Sequence, residues 1–203
     1  MNVHSFLSNL MNKRTQILIA AETVLAQRGF YAFSMQNLAN TAGVAAGTIY
    51  RYFASKEALM NELQKFIREE SANSVFSGWQ DSLSDKQKYD LVWQNAFDCV
   101  LANPRRLTLI EMLHFVPNID QAEITAFEND VFKPLIDFYQ HGIDTKKFLD
   151  WQLFALVAAS LDTSISLAKQ VIQGRLIPDQ KQLDQVRDAS WAIIQNPHFN
   201  QQD

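Results

Sequence analysis

The chain has 203 residues, 47% hydrophobic and 20% charged, with a formal net charge of −4. That composition excludes a disordered or fibrous chain and allows a sizeable core without metal or disulfide; the single cysteine, Cys99, excludes an intrachain disulfide framework. The charge is uneven: within residues 1–56 the five cations Lys13, Arg14, Arg28, Arg51 and Lys56 meet one acid, Glu22, a balance of +4 that leaves −8 for the rest. A basic head on an acidic body points to nucleic acid, with chance unevenness on solvated faces as the plain alternative.

The N-terminus has no positive charge before Lys13 and no long apolar run, so no secretory signal is expected. Met11, followed by Asn-Lys-Arg-Thr, reads as a plausible start of the protein proper, with residues 1–10 an upstream extension or an N-terminal arm. The first predicted helix covers 13–28, where Ile17, Ala20, Ala21, Val24 and Leu25 recur on one face, and Gly29 caps its end. Ser34 is the N-cap of a second helix that buries Leu38, Ala39 and Ala42, and Gly43 makes the turn. The third helix, 46–53, turns Ile49 and Phe53 inward, which leaves Ala46, Gly47, Thr48, Tyr50 and Arg51 on other faces. Ser55 caps a fourth helix, whose first turn holds Glu57. A short helix behind a tight turn, bearing hydrogen-bond donors, is suited to a DNA groove.

The remainder is predicted as longer helices: 57–75; Ser84 or Asp85 to Ala102; one opened by Asn103-Pro104; one opened by Asp120-x-x-Glu123; 151–173; and a last one capped by Asp179. Pro134 inside an apolar pattern predicts a kink or break. The fold class is therefore all-α, with a helix-turn-helix domain at 11–56 and a larger helical domain at 57–203. The apolar stretch 151–172 contains Asp162 and Lys169 and has an unbroken apolar run only from Leu153 to Ala159, so no membrane span is expected and a cytoplasmic location follows. Cys99, in an apolar stretch, is expected to be buried.

Phe33-Ser-Met-Gln-Asn-Leu-Ala-Asn-Thr-Ala-Gly-Val44, then Gly47-Thr-Ile-Tyr-Arg-Tyr-Phe53, then Ser55-Lys-Glu-Ala-Leu59 resemble the tetracycline-repressor (TetR) family of bacterial regulators. The resemblance spans about residues 13–60. It implies a homodimer whose third helices enter successive major grooves of a palindromic double-stranded DNA operator, and a small-molecule effector that changes the spacing of the heads. By position, Gly47, Thr48, Tyr50 and Tyr52 match DNA-facing places, Lys56 a phosphate contact, and Ser34 a cap that also touches phosphate. Met35, Ala45 and Ala46 stand at DNA-side positions where the family more often has small polar residues. Arg51 then carries much of the base readout, pairing with guanine, or else it contacts a phosphate.

The body is rich in aromatic residues, which predicts an apolar cavity for an apolar or aromatic effector. The candidate effector residues are Phe66, Trp93, Phe97, Glu111, His114, Phe115 and Phe138. Glu111 and His114 lie three apart on one helical face. They line a pocket or are simply solvated or satisfied in the core; a di-iron bundle needs two Glu-x-x-His units and two further glutamates, and the chain has one unit. The apolar helix 151–172 and the last helix form the candidate dimer seam, through Phe154, Val157, Leu161, Ile165, Val186 and Ile193, unless they are buried within one chain. No catalytic constellation, phosphate loop or cofactor motif is present, so neither an enzyme nor a cofactor is expected. The expected function is a ligand-responsive transcriptional regulator, most often a repressor in this family. The alternatives are an all-helical metal-dependent enzyme and a ligand-independent architectural DNA protein.

Overall fold

The computed structural model describes residues 3–116 and 120–199, with side chains from Lys13 onward. Among the described residues eleven helices follow in order: α1 Val3–Arg28, α2 Met35–Ala42, α3 Ala46–Tyr52, α4 Lys56–Val75, α5 Asp85–Ala102, α6 Pro104–His114, α7 Gln121–Val131, α8 Lys133–Asp144, α9 Leu153–Ala159, α10 Asp162–Ile172 and α11 Gln180–Ile194. The fold is all-α; the extended pairing among the described residues is one isolated bridge, Phe148 with Gln195.

The chain divides into two compact units. The first is Met1–Arg68 with Arg105–Phe127, the second Glu69–Pro104 with Glu128–Asp203. The first unit groups α6 and the first part of α7, up to Phe127, with the N-terminal helices.

In the first unit, α1 gives Ile17, Leu18, Ala21, Val24 and Leu25 to a core that also receives Leu38 and Ala39 of α2, Ile49 of α3, Leu59 and Leu63 of α4, and Leu109 and Leu113 of α6. The periodicity of α1 is as expected, but the helix starts at Val3, well before Lys13. Arg106 donates to both carboxylate oxygens of Glu22, at 2.8 and 3.2 Å, which fastens α6 to α1. Two polar residues of α4 are buried here: Gln64 donates to the Leu113 carbonyl, and Arg68 to the Gln64 side chain.

In the second unit, α10 packs on α5, and α11 packs on α5 and α9. Tyr89, Trp93 and Phe97 of α5, Tyr139 of α8, Phe148 and Leu156 are buried. The stretch 151–173 is not one helix. It breaks at Ser160, whose hydroxyl donates to the Leu156 carbonyl at 2.6 Å and shares a 2.8 Å hydrogen bond with the Tyr139 hydroxyl. Thr163 and Ser164 likewise donate to the carbonyls of Ser160 and Leu161. Hydroxyls that bond to nearby carbonyls offer the backbone an alternative to the regular helical ladder. By length and composition Leu153–Ile172 is just apolar enough to cross a bilayer, at a mean hydropathy of 1.2. This break, its two charges and its packing on α5 make it a helix pair of the domain and not a membrane span.

Pro134 separates α7 from α8, as its missing N–H requires, and lies in the first turn of α8. Ser84 and Gln87 form a reciprocal capping box on α5. Asn103 instead closes α5, its amide 3.5 Å from the Cys99 carbonyl. Cys99 itself is half-buried, a correction to the expected buried thiol: its helix is amphipathic and the sulfur falls on the border of the packed face.

Candidate nucleic-acid interface

The helix-turn-helix is built from local rules. Ser34 Oγ accepts the Asn37 backbone N–H at 3.1 Å, which caps α2. Gly43 ends the helix at φ 64°, where the Gly43 N–H bonds to the Asn40 carbonyl and the Val44 N–H to the Ala39 carbonyl. This pair of bonds is a Schellman motif, and the left-handed residue it needs is most easily glycine. Val44 then packs on the core, and Ile49 and Phe53, at 0% and 2% exposure, fix α3 by its inner face.

What remains of α3 faces outward. Gly47, Tyr50 and Arg51 are exposed, and Thr48 and Tyr52 are half-buried. Arg51 has its guanidinium carbon 5.4 Å from the Tyr52 ring centroid, a cation–π contact that extends the side chain along the helix. Ser34 and Ala45 are exposed as well, so Ser34 keeps a hydroxyl proton to donate while its oxygen caps α2. Met35 and Ala46 are half-buried against the core. Ala45 precedes α3 without a side-chain cap. Glu57 has its carboxyl held below the ordinary value, first by its own backbone N–H and then by the Ser55 hydroxyl.

Lys56 is engaged within the chain. Its ammonium donates to the carbonyls of Phe30 and Phe33, and burial pushes its pKa down while Glu57 pulls it up. Tyr31, on the turn between those carbonyls, is fully exposed. It bears no mark in the sequence, because a turn residue belongs to no periodic pattern.

Residues 17–63 match the profile described as bacterial regulatory proteins, tetR family, and residues 85–195 match that of the tetracyclin repressor-like C-terminal domain. The second match covers more than half of the chain. The chain belongs to the TetR family. A solved TetR-family protein from Vibrio parahaemolyticus is 33% identical, with a TM-score of 0.81, over 90% of this chain and 98% of that one. A helix-turn-helix transcriptional regulator from Haemophilus influenzae is 29% identical over 195 residues, 89% of this chain and 94% of its own length. The fatty acid metabolism regulator protein of Bacillus subtilis is 27% identical over 164 residues, 81% of this chain and 79% of its own length. This TetR-family chain is a DNA-binding transcriptional regulator, and neither alternative reading finds support among its relatives.

The candidate effector residues of this TetR-family regulator are drawn from both units. Phe66, Glu111, His114 and Phe115 belong to the first unit, and Trp93, Phe97 and Phe138 to the second. Glu111 and His114 are exposed, as is Phe115, whose ring meets His114 edge-on at 5.4 Å. Trp93 and Phe97 are buried and stacked, with centroids 6.1 Å apart, and the Trp93 indole N–H donates to Thr163. Phe138 forms with Trp79 the aromatic floor of an open groove of about 650 Å³, rimmed by charges that include Asp81, Lys88, Asp130 and Lys133. Among the described residues no group of three or more His, Cys, Asp or Glu side chains gathers to hold a metal.

Of the candidate seam residues, Phe154 and Ile193 are exposed, at 70% and 47%, and Val157, Ile165 and Val186 are half-buried. Leu161 is buried in its own chain, because the break at Ser160 interrupts the helical spacing that would align it with Val157 and Ile165. Between α10 and α11 lies an apolar groove of about 340 Å³, lined by Leu167, Leu176, Leu183 and Val186.

Proposed function

We propose that the protein is a homodimeric repressor that occupies a palindromic operator in the bacterial cytoplasm and is released by a small apolar effector. Residues 11–56 dock on DNA and residues 57–203 hold the effector and the dimer seam. The observation that carries this reading is the outward face of α3: Gly47, Tyr50 and Arg51 stand clear of a helix whose opposite face is fully buried. Gly47 lets the backbone approach a groove wall closely; Thr48, Tyr50, Tyr52 and Ser34 supply neutral donors for phosphate and base edges. Met35, Ala45 and Ala46 add apolar contact. Arg51 is the bidentate reader of a guanine. Repression then needs no chemistry, because an occupied operator excludes polymerase.

The effector is apolar or acyl. The aromatic wealth of the body supports this, as does similarity to a Bacillus subtilis protein named for fatty acid metabolism. An apolar ligand that reaches Trp93 and Phe97 has to part helices that now shut them in, so binding is coupled to a change of shape, and it releases DNA only to the extent that it favours the changed shape. The seam runs along α9, α10 and α11 through Phe154, Val157, Ile165, Val186 and Ile193.

The reading is tested on operators recovered by genome-wide footprinting. Arg51→Ala is expected to lose roughly 10-fold or more in affinity and to stop discriminating at one base pair per half-site. Uniform weakening across an operator mutation series would overturn the readout role of Arg51. Long-chain acyl ligands are expected to raise the melting temperature and release the duplex; release by polar metabolites alone would overturn the effector class.

A further inference from the structure

The family resemblance gives Lys56 to a phosphate, yet the structure employs it elsewhere. Its ammonium lies 3.0 Å from the Phe30 carbonyl oxygen and 3.1 Å from that of Phe33. It also stands 4.0 Å from the Phe30 ring centroid and 5.4 Å from that of Phe33. An ammonium has three N–H donors, and two are spent inside the chain. These contacts clasp both ends of one turn, which the Phe33 N–H also closes on the Phe30 carbonyl at 3.3 Å.

At the tip of the clasped turn is Tyr31, 100% exposed, its ring meeting that of Phe30 edge-to-face with centroids 5.9 Å apart. A large aromatic side chain held wholly in water adds nothing to the core, and the turn that presents it is among the most tightly fastened in the head. The turn leads directly into α2. In a helix-turn-helix the first helix crosses the phosphate backbone while the second enters the groove, so the approach to α2 lies over that backbone.

We propose that Tyr31 contacts DNA, its hydroxyl meeting the sugar–phosphate backbone beside the groove that α3 enters, and that Lys56 is a positioning residue acting through the Phe30–Phe33 turn and not on a phosphate. The inference rests on the reading above that sets DNA against α3. It has a distinct salt signature. A neutral phenol that donates to phosphate displaces no counterion, whereas an ammonium on phosphate releases about one.

The experiment measures the affinity of the full chain for the footprinted operator duplex across a series of salt concentrations. Tyr31→Phe is expected to weaken binding about 5-fold per protomer, the effect of one hydrogen bond in each half-site, with the slope of log affinity against log salt unchanged. Lys56→Met is expected to weaken binding similarly, again at constant slope, and to abolish the effect of Tyr31→Phe in the double variant. An unchanged circular dichroism spectrum guards against misfolding of Lys56→Met. A slope reduced by about one per protomer in Lys56→Met would overturn the positioning role. Wild-type affinity in Tyr31→Phe would sink the Tyr31 contact alone. A wild-type chain that does not discriminate the operator from random duplex would instead remove the underlying reading.

Discussion

At Gly43, in the first unit, the backbone is left-handed and the space where a side chain would grow is empty. At Gly142, in the second, the backbone is ordinary α-helix, but a Cβ would fall into the Phe148 ring. One glycine is required by its own dihedral angles, the other by a neighbour brought from outside its helix. A related contrast separates the helix-turn-helix from the body. The features that shape the helix-turn-helix act over a few residues: the Ser34 cap, the Gly43 turn, the Ser55 cap on Ala58. The features that shape the body act over long stretches. Tyr89 shares a hydrogen bond with Ser190, 101 residues away, and Trp93 donates to Thr163, 70 residues away. Local rules suffice for the short motif, whereas the body is held by contacts between residues far apart in the chain.

The largest effect that could break this comparison is at Gly142. Gly142→Ala is expected to destabilise the protein by about 3 kcal/mol through overpacking, read by denaturant unfolding, with part of the loss recovered by Phe148→Leu. Gly43→Ala should cost only about 1 kcal/mol, since it meets left-handed strain and no clash. If Gly43→Ala proved the more damaging, the local and tertiary roles assigned to the two glycines would be reversed.

The smallest effect is invisible at neutral pH. Burial pushes the Tyr89 hydroxyl up to about 12, against the smaller lowering by its hydrogen bonds to Ser190 and Ser160, and burial pushes Tyr139 higher still. The folded chain therefore holds these protons more tightly than the unfolded one. Their contribution is complete below pH 10 and is lost as pH rises from about 10 to 12. All four tryptophans, at 79, 93, 151 and 191, belong to the second unit, so their fluorescence reports on it alone. A melting transition followed by that signal should hold steady to about pH 10 and then fall, less steeply in Tyr89→Phe. A transition as steep in Tyr89→Phe as in the wild type would place the alkaline sensitivity outside the buried hydroxyls.

The same distinction explains which expectations held. Caps and left-handed turns depend on residue type at fixed offsets, so Ser34, Gly43, Ser84 and Asp179 could be assigned from the sequence, and so could the inward face of α3. The break at Ser160 could not, because a serine becomes a helix breaker only when something such as Tyr139 holds its hydroxyl. Leu161 went astray for the same reason, its phase having been counted across that break. Cys99 looked buried by its neighbours in sequence, yet burial is set by which helix covers which face.

The sequence by itself determined the helix-turn-helix, its family and the outward set of donors on α3, because each depends on spacing within a turn or two of helix. Only the tertiary structure decided that α6 and the first part of α7 join the first unit, that the apolar stretch is two helices, and that Lys56 is tied to the Phe30–Phe33 turn. Those outcomes depend on which groups compete for the same hydrogen bond or the same space, and residues far apart in the chain become competitors only after it has folded.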